Sequence, residues 1–210
     1  MNKQGNKKEK FSFLGISLSN VSNIESAVAM VNHDLKIITL DKLFSVNDIK
    51  YFLNNLPGKD ASVIMVSIPE NEVMLSSKWK YNSRTYDLVN FDTKMLNRDD
   101  WTNRFSTRGN EYFKLLRSQG VDIYRFDIEN MKDFLGCSYS YKSRTPSDCK
   151  ALQDTLRMKY NMHELPQNML PAAQLEALMG AILAKMFASE NDVSLCKQIG
   201  FYGDLPIVGV

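Results

Sequence analysis

Two short, mainly apolar runs on either side of an amphipathic segment constrain the fold of this chain more than any other feature. The runs are residues 11–18 and 62–68, and each is bounded by polar or turn-forming residues. Runs of this length are typical of strands buried on both faces of a sheet. Between them, residues 45–56 carry an apolar stripe at helical spacing that ends at Pro57-Gly58. Because strand–helix–strand crossovers are right-handed, we expect the two strands to be parallel.

The remaining pattern predicts two antiparallel strands between the first run and the helix, and further parallel strands after the second run. Residues 26–32 and 36–43 flank an Asn-His-Asp turn, so the first three strands should form a meander. Later strands are predicted over residues 121–126 and 205–210. Helices are predicted over residues 99–118, 131–135, 145–160 and 172–188. The fold class is therefore α/β, with an RNase-H-like mixed sheet of three antiparallel strands followed by parallel strands with helical crossovers.

Composition and charge divide the chain into a short tail and one body. Residues 1–10 carry four lysines and one glutamate, a balance of +3, and are predicted to be a disordered basic tail. Residues 11–210 are predicted to form a single RNase-H-like domain with an irregular insertion at about 70–97. Since the whole chain carries +2, the body carries −1 and is not a nucleic-acid binder by bulk charge.

Several classes of protein are excluded by what the sequence lacks. No apolar run reaches the roughly 18 residues that span a bilayer, so no membrane partner is expected. Three widely spaced cysteines without a CxxC pair predict reduced thiols and a cytoplasmic protein. The two histidines, His33 and His163, have no metal-ligand spacing and serve neither a zinc site nor a nucleophilic serine.

Six short motifs in this order resemble those of a known family. They are Gly15-Ile16-Ser17-Leu18-Ser19, Val66-Ser67-Ile68-Pro69, Arg98-Asp99-Asp100, Tyr141-Lys142, Glu176-Ala177-Leu178-Met179-Gly180-Ala181 and the glycine-containing run 200–210. Together they resemble the domain-of-unknown-function 429 family of predicted RNase-H-like nucleases, over about residues 11–210. The resemblance implies a divergent member of that family and places its acidic site at Ser17, Ser67 and Glu176.

The departure from the family pattern matters more than the match. Ser17 and Ser67 stand where the family has acids, and only Glu176 is acidic. Two divalent ions about 4 Å apart repel by on the order of 16 kcal/mol at an effective dielectric constant of about 20. One carboxylate offsets little of that charge. We therefore expect no bound cofactor, impaired catalysis, and a role in binding nucleic acid or a protein.

An active metal-dependent nuclease remains the alternative, so the chain's status as an enzyme stays open. It would hydrolyse phosphodiester bonds with Mg²⁺ or Mn²⁺ held by Glu176 and displaced acids. Glu70 is the first candidate for such an acid, and Glu72 and Asp127 also follow predicted strands.

The environment of Glu176 has two interpretations. Residues 172–188 contain only Glu176 and Lys185 as charged residues, which predicts a helix buried nearly all round. Gly180, one turn after Glu176, would let a sheet backbone approach closely. Glu176 is then either a carboxylate aimed at the strand ends or part of a solvent-facing stripe near the helix start.

Two stretches combine aromatic and basic residues in a way that suits nucleic-acid binding. Candidate phosphate contacts are Lys78, Lys80 and Arg84 in the first stretch and Lys142 and Arg144 in the second. The alternatives are an arm whose aromatic residues cover the sheet edge and a solvated loop.

Overall fold

The structure is a computed structural model that describes residues 12–18, 26–44, 46–56, 62–67, 112–137, 144–189, 196–202 and 205–210. The predicted tail, the predicted insertion at 70–97 and the first part of the helix predicted over 99–118 lie outside these residues. The strands are β1 (Ser12–Ser17), β2 (Ser26–Val31), β3 (Ile37–Leu43), β4 (Ser62–Ser67), β5 (Asp122–Phe126), β6 (Lys197–Tyr202) and β7 (Leu205–Gly209). The helices are α1 (Val46–Asn54), α2 (112–118), α3 (Ile128–Leu135), α4 (Pro146–Lys159) and α5 (Ala172–Ala188).

The strands form one mixed sheet of seven strands in the order β3-β2-β1-β4-β5-β7-β6. The predicted antiparallel meander of β1, β2 and β3 is confirmed. The parallel pairing of β1 with β4 is also confirmed, and it ends with Ser17 opposite Ser67. β5 and β7 continue the parallel part of the sheet. The predicted α/β class is therefore confirmed at the level of a mixed sheet with helices.

Strand β6 was not predicted from the sequence. It pairs antiparallel with β7, with a shift of register between Gln198 and Gly200. The glycine and this irregularity interrupt the alternation that would have marked a strand. The pair Gly203-Asp204 is the available signal, because two such residues between extended segments are typical of a tight hairpin.

The sheet separates two hydrophobic cores. Alternate residues of β1 point to opposite faces, so Phe13 packs with α5 while Leu14 and Ile16 pack with α1 and α2. Helix α5 contacts β1, β2 and β4 and is buried along most of its length. Among the residues that the structure describes, no helix is long and apolar enough to cross a membrane.

Helix α5 lies unusually close to β1 because two glycines face each other. A Cβ atom built on Gly15 would overlap the backbone of Ala177 and Ala181 and lie 2.8 Å from the carbonyl carbon of Gly180. One built on Gly180 would lie 3.0 Å from the Cα of Gly15. This close approach was predicted for Gly180, and it brings Glu176, one turn earlier, down to the end of β1.

The connection between α4 and α5, residues 160–171, is anchored on both sides. The buried Gln153 side chain donates from Nε2 to the carbonyl oxygens of Pro166 (2.6 Å) and Asn168 (3.1 Å). Its Oε1 accepts from the backbone N–H of Leu170 at 2.8 Å. Glu164 Oε1 accepts from the backbone N–H of Ile37 in the edge strand β3, also at 2.8 Å. The connection therefore covers the start of that edge.

Candidate functional site

The two serine positions lie side by side where two parallel strands end. Ser17 and Ser67 are register partners at the carboxyl ends of β1 and β4, and both are buried. The backbone N–H of Leu18 continues the pairing by donating to the Ser67 carbonyl oxygen at 2.9 Å. The carboxyl ends of adjacent parallel strands are where α/β proteins commonly form a ligand crevice.

Glu176 meets these serines from α5. Its carboxylate accepts a hydrogen bond from Ser17 Oγ at 2.7 Å, and the residue is only 2% exposed. The interpretation of Glu176 as part of a solvent-facing stripe is therefore wrong, because the Gly15–Gly180 contact holds this side of α5 against the sheet. The structure thus brings together the three positions that the resemblance had selected.

Arg144 binds both oxygens of the same carboxylate. Its Nε donates to Glu176 Oε1 at 2.8 Å and its Nη2 donates to Oε2 at 2.6 Å. This two-pronged arrangement is the strongest common geometry between a guanidinium and a carboxylate. The Arg144 side chain is 28% exposed, so the guanidinium lies between the buried acid and the solvent.

A second ion pair holds the backbone of Arg144. Lys132 Nζ on α3 lies 2.9 Å from Asp148 Oδ2 on α4, and their side chains are 3% and 6% exposed. The same Asp148 oxygen accepts from the backbone N–H of Arg144 at 2.7 Å. Five residues are therefore linked by hydrogen bonds and ion pairs, and we call them the crevice cluster: Ser17, Glu176, Arg144, Asp148 and Lys132.

The charges of the crevice cluster balance. Two cations face two carboxylates, and each carboxylate has both a cationic partner and a further donor. Buried charges are tolerated when they are paired and hydrogen-bonded in this way. The Ser17 hydroxyl donates to a carboxylate, and the two histidines lie in exposed positions, so no imidazole serves Ser17 as a base.

Cys149 lies next to this cluster. Burial raises the pKa of its thiol, and the nearby carboxylates of Asp148 and Glu176 raise it further, while Lys132 and Arg144 act in the opposite direction. The chain's three cysteines are buried and form no disulfide. Cys149 is therefore a protonated, poorly nucleophilic thiol at neutral pH.

The donor set of the crevice does not fit a pair of divalent cations. Both oxygens of Glu176 are already hydrogen-bonded, and the neighbouring Ser17 and Ser67 bring no negative charge. Over the described part of the chain, no group of three or more His, Cys, Asp or Glu side chains is arranged to hold a metal ion. The cation beside the single acid is a guanidinium instead.

The other predicted site residues have different outcomes. Glu70, Lys78, Lys80, Arg84 and Lys142 lie outside the described residues, and their roles stay predictions. Asp127, considered as a displaced acid, is the N-cap of α3. Its Oδ1 accepts from the backbone N–H groups of Glu129 and Asn130 at 2.8 and 3.0 Å. This bonding satisfies the first turn of the helix.

Sequence reasoning missed Lys132 and Asp148 as members of the crevice cluster. A signal for Asp148 existed, because Thr145-Pro146-Ser147-Asp148 has the spacing of a helix cap in which an acid reaches back towards the preceding backbone. Thr145 does cap α4, and Asp148 reaches one residue further back, to Arg144. For Lys132 the sequence holds no signal, since its pairing depends on how α3 packs beside α4.

Comparison with known proteins yields no matching family model, curated protein or solved structure. The chain is therefore classed by its own fold and site. It is an α/β protein with a mixed seven-stranded sheet and a charge-balanced cluster at the carboxyl ends of two adjacent parallel strands.

Proposed function

We propose that this chain is an RNase-H-like protein, a divergent relative of the predicted nucleases of the domain-of-unknown-function 429 family, that binds nucleic acid without hydrolysing it. The sheet supports the fold part of this proposal. It has three antiparallel strands, β1 to β3, followed by the parallel strands β4 and β5, and the late helix α5 covers β1 and β4. The meeting of Ser17, Ser67 and Glu176 at one edge supports it as well.

The observation that carries the loss of hydrolysis is the hydrogen bonding of Glu176. It is the only carboxylate at the three family positions, and Arg144 and Ser17 already engage both of its oxygens. Two-metal hydrolysis needs carboxylates that offset the mutual repulsion of two ions and hold them beside the scissile phosphate. One neutralised acid supplies neither function, and so no cofactor belongs to the proposed activity.

Nucleic acid is the favoured partner because two aromatic stretches of the sequence carry basic residues and because Arg144 offsets the charge of Glu176. The guanidinium of Arg144 neutralises the one acid that would repel a phosphate and still reaches solvent. The sequence adds Lys78, Lys80, Arg84 and Lys142 as phosphate contacts among aromatic residues. A protein partner is the other outcome of the test, and the cysteine pattern suggests the cytoplasm as the location.

The test measures binding and cleavage together. Fluorescently labelled single strands of DNA and RNA are incubated with the full chain and Mn²⁺ or Mg²⁺, with and without chelator. We expect intact strands and an affinity that falls steeply with salt, by about 0.7 log units per phosphate contact for each log unit of salt. Cleavage that stops with chelator and with Glu176→Gln or Glu70→Gln would establish the nuclease instead. Absence of binding at low salt would indicate a protein partner.

A gain-of-function variant tests whether the crevice has the family geometry. Ser17→Asp with Ser67→Asp returns acids to both strand ends, and we expect calorimetry to detect Mn²⁺ binding that the wild type lacks. Ser17→Asn with Ser67→Asn is the matched control, with side chains of the same size and no charge. If the Asp variant folds and takes no Mn²⁺ even when it is combined with Arg144→Ala, the crevice does not correspond to the metal site of RNase-H-like nucleases.

A further inference from the structure

We infer that Arg144 is the resident cation of the crevice, a tethered guanidinium that sits beside Glu176 where metal-dependent relatives would hold a metal ion, and that the buried Lys132–Asp148 pair clamps it there. The inference deepens the proposed function, and its comparison with relatives rests on that proposal. The ion pair itself is independent of any relative.

The geometry at Glu176 is that of a filled cation position. The acid is buried, and the cation covers it from the solvent side with two short hydrogen bonds. One carboxylate oxygen is shared between Arg144 and Ser17. A further cation could reach this acid only after Arg144 had moved away.

The backbone of Arg144 shows that its position is imposed by its surroundings. Its φ angle is +62°, in the left-handed region that residues other than glycine seldom adopt. Asp148 holds that conformation by accepting the Arg144 backbone N–H with the same oxygen that binds Lys132. Lys132 and Asp148 are therefore positioning residues, which act through Arg144.

The charges of the cluster predict what would bind in place of the Arg144 side chain. The five residues of the cluster include two cations and two carboxylates, and the partly exposed Glu129 carboxylate lies 3.8 Å from Lys132 Nζ at the edge of the cluster. Removal of the Arg144 side chain would leave the Glu176 carboxylate without its cationic partner, beside a vacated position. Such a position should accept small cations from solution, and a planar guanidinium should fit it best because it can repeat both hydrogen bonds.

The first test uses guest cations on the full chain. In Arg144→Ala, we expect ethylguanidinium at low millimolar concentration to raise the melting temperature, and Mn²⁺ to bind about tenfold more tightly, or better, than to the wild type. The double variant Arg144→Ala with Glu176→Gln should lose both effects. Lys150→Ala removes an exposed lysine from the same region and is the matched control. If neither guest distinguishes Arg144→Ala from this control, the inference is wrong.

The second test addresses the clamp and does not depend on metal binding. In nuclear magnetic resonance spectra, the Arg144 Nε–H should exchange with water at least about tenfold more slowly than exposed arginines, because it is hydrogen-bonded to a buried acid. Lys132→Met with Asp148→Leu removes both the ion pair and the acceptor of the Arg144 backbone N–H without leaving an unpaired buried charge, and should abolish that protection while the fold persists. Unchanged protection would overturn the clamp.

The two proposals fail in different ways. Micromolar Mn²⁺ binding or metal-dependent cleavage by the wild-type chain contradicts the proposed function whatever Arg144→Ala does. Fast exchange of the Arg144 Nε–H in the wild type contradicts the resident cation even if no nuclease activity is found.

Discussion

Gly15 is the residue on which the geometry of the crevice depends most directly. Any side chain at this position would overlap the backbone of α5. The distance between β1 and α5, and with it the Ser17–Glu176 hydrogen bond, follows from the absence of a side chain at this position.

We therefore expect Gly15→Ala to lower the free energy of unfolding by about 3 kcal/mol or more, because a core that is already close-packed must separate to admit the methyl group. Urea unfolding followed by circular dichroism measures the change. Gly120→Ala is the control. Its φ is +87° but nothing lies within 4 Å of the added Cβ, so only backbone strain of about 1 kcal/mol is expected. Equal losses for both variants would contradict the packing argument.

At this scale, the sequence predicted the positions of the site and not its chemistry. Ser17, Ser67 and Glu176 follow from short motifs. The pairing of Arg144 with Glu176 joins residues 32 positions apart and depends on a left-handed backbone angle. No propensity of arginine predicts that angle, since it is imposed by the contact with Asp148.

At the scale of elements, predictions succeeded where local signals were strong. Helix α5 spans Ala172–Ala188 as predicted. Pro171 marks its start, and a helix that is apolar nearly all round is stable only when it is buried in the core. Helix α4 begins after Thr145 as the Thr-Pro pair indicated. Strand β6 was missed because it has a glycine and a bulge where alternation was needed.

The connection between α4 and α5 depends on one buried amide. We expect Gln153→Leu to destabilise the fold by about 2 kcal/mol, because the connection would lose all three hydrogen bonds to this buried amide. Urea unfolding gives the magnitude, and faster hydrogen exchange at the Leu170 amide locates it. Gln167→Leu, an exposed residue of the same connection, is the control and should change stability by less than about 0.5 kcal/mol.

At the scale of the whole molecule, the pattern predicted which strands are neighbours in the first part of the sheet and not where the sheet ends. The helical crossover from β3 to β4, which places β4 parallel to β1, is fixed by handedness and by a helix of suitable length. The addition of β7 beside β5, with β6 beyond it, depends on long-range packing that no local pattern encodes.

The stability of the whole molecule should fall in alkaline solution. Burial raises the pKa of the Cys149 thiol above its ordinary 9.0, and desolvation raises the pKa of Tyr112 above its ordinary 10.0. The unfolded chain therefore releases these protons first as the pH rises, so the free energy of unfolding should decrease above about pH 9. Urea unfolding between pH 7 and pH 11 measures the decrease.

Variants separate the two groups in that experiment. Cys149→Ala should remove the part of the decrease that begins near pH 9, and Tyr112→Phe the part that begins near pH 10. Tyr51→Phe removes the hydroxyl of a tyrosine that is exposed to solvent and is the matched control for Tyr112→Phe. A wild-type curve that stays flat to pH 11 would show that neither group is shielded in the folded chain.

The contact of Glu164 with Ile37 has a consequence for how these molecules behave when crowded together. Strand β3 is the outermost strand on its side of the sheet, and outermost strands are templates on which another polypeptide can be added. The Glu164 carboxylate accepts a hydrogen bond from the first backbone N–H of β3. A second polypeptide strand would have to displace this charged side chain before it could pair with β3. Loss of this one acid would thus open a route to fibre growth without changing the crevice cluster.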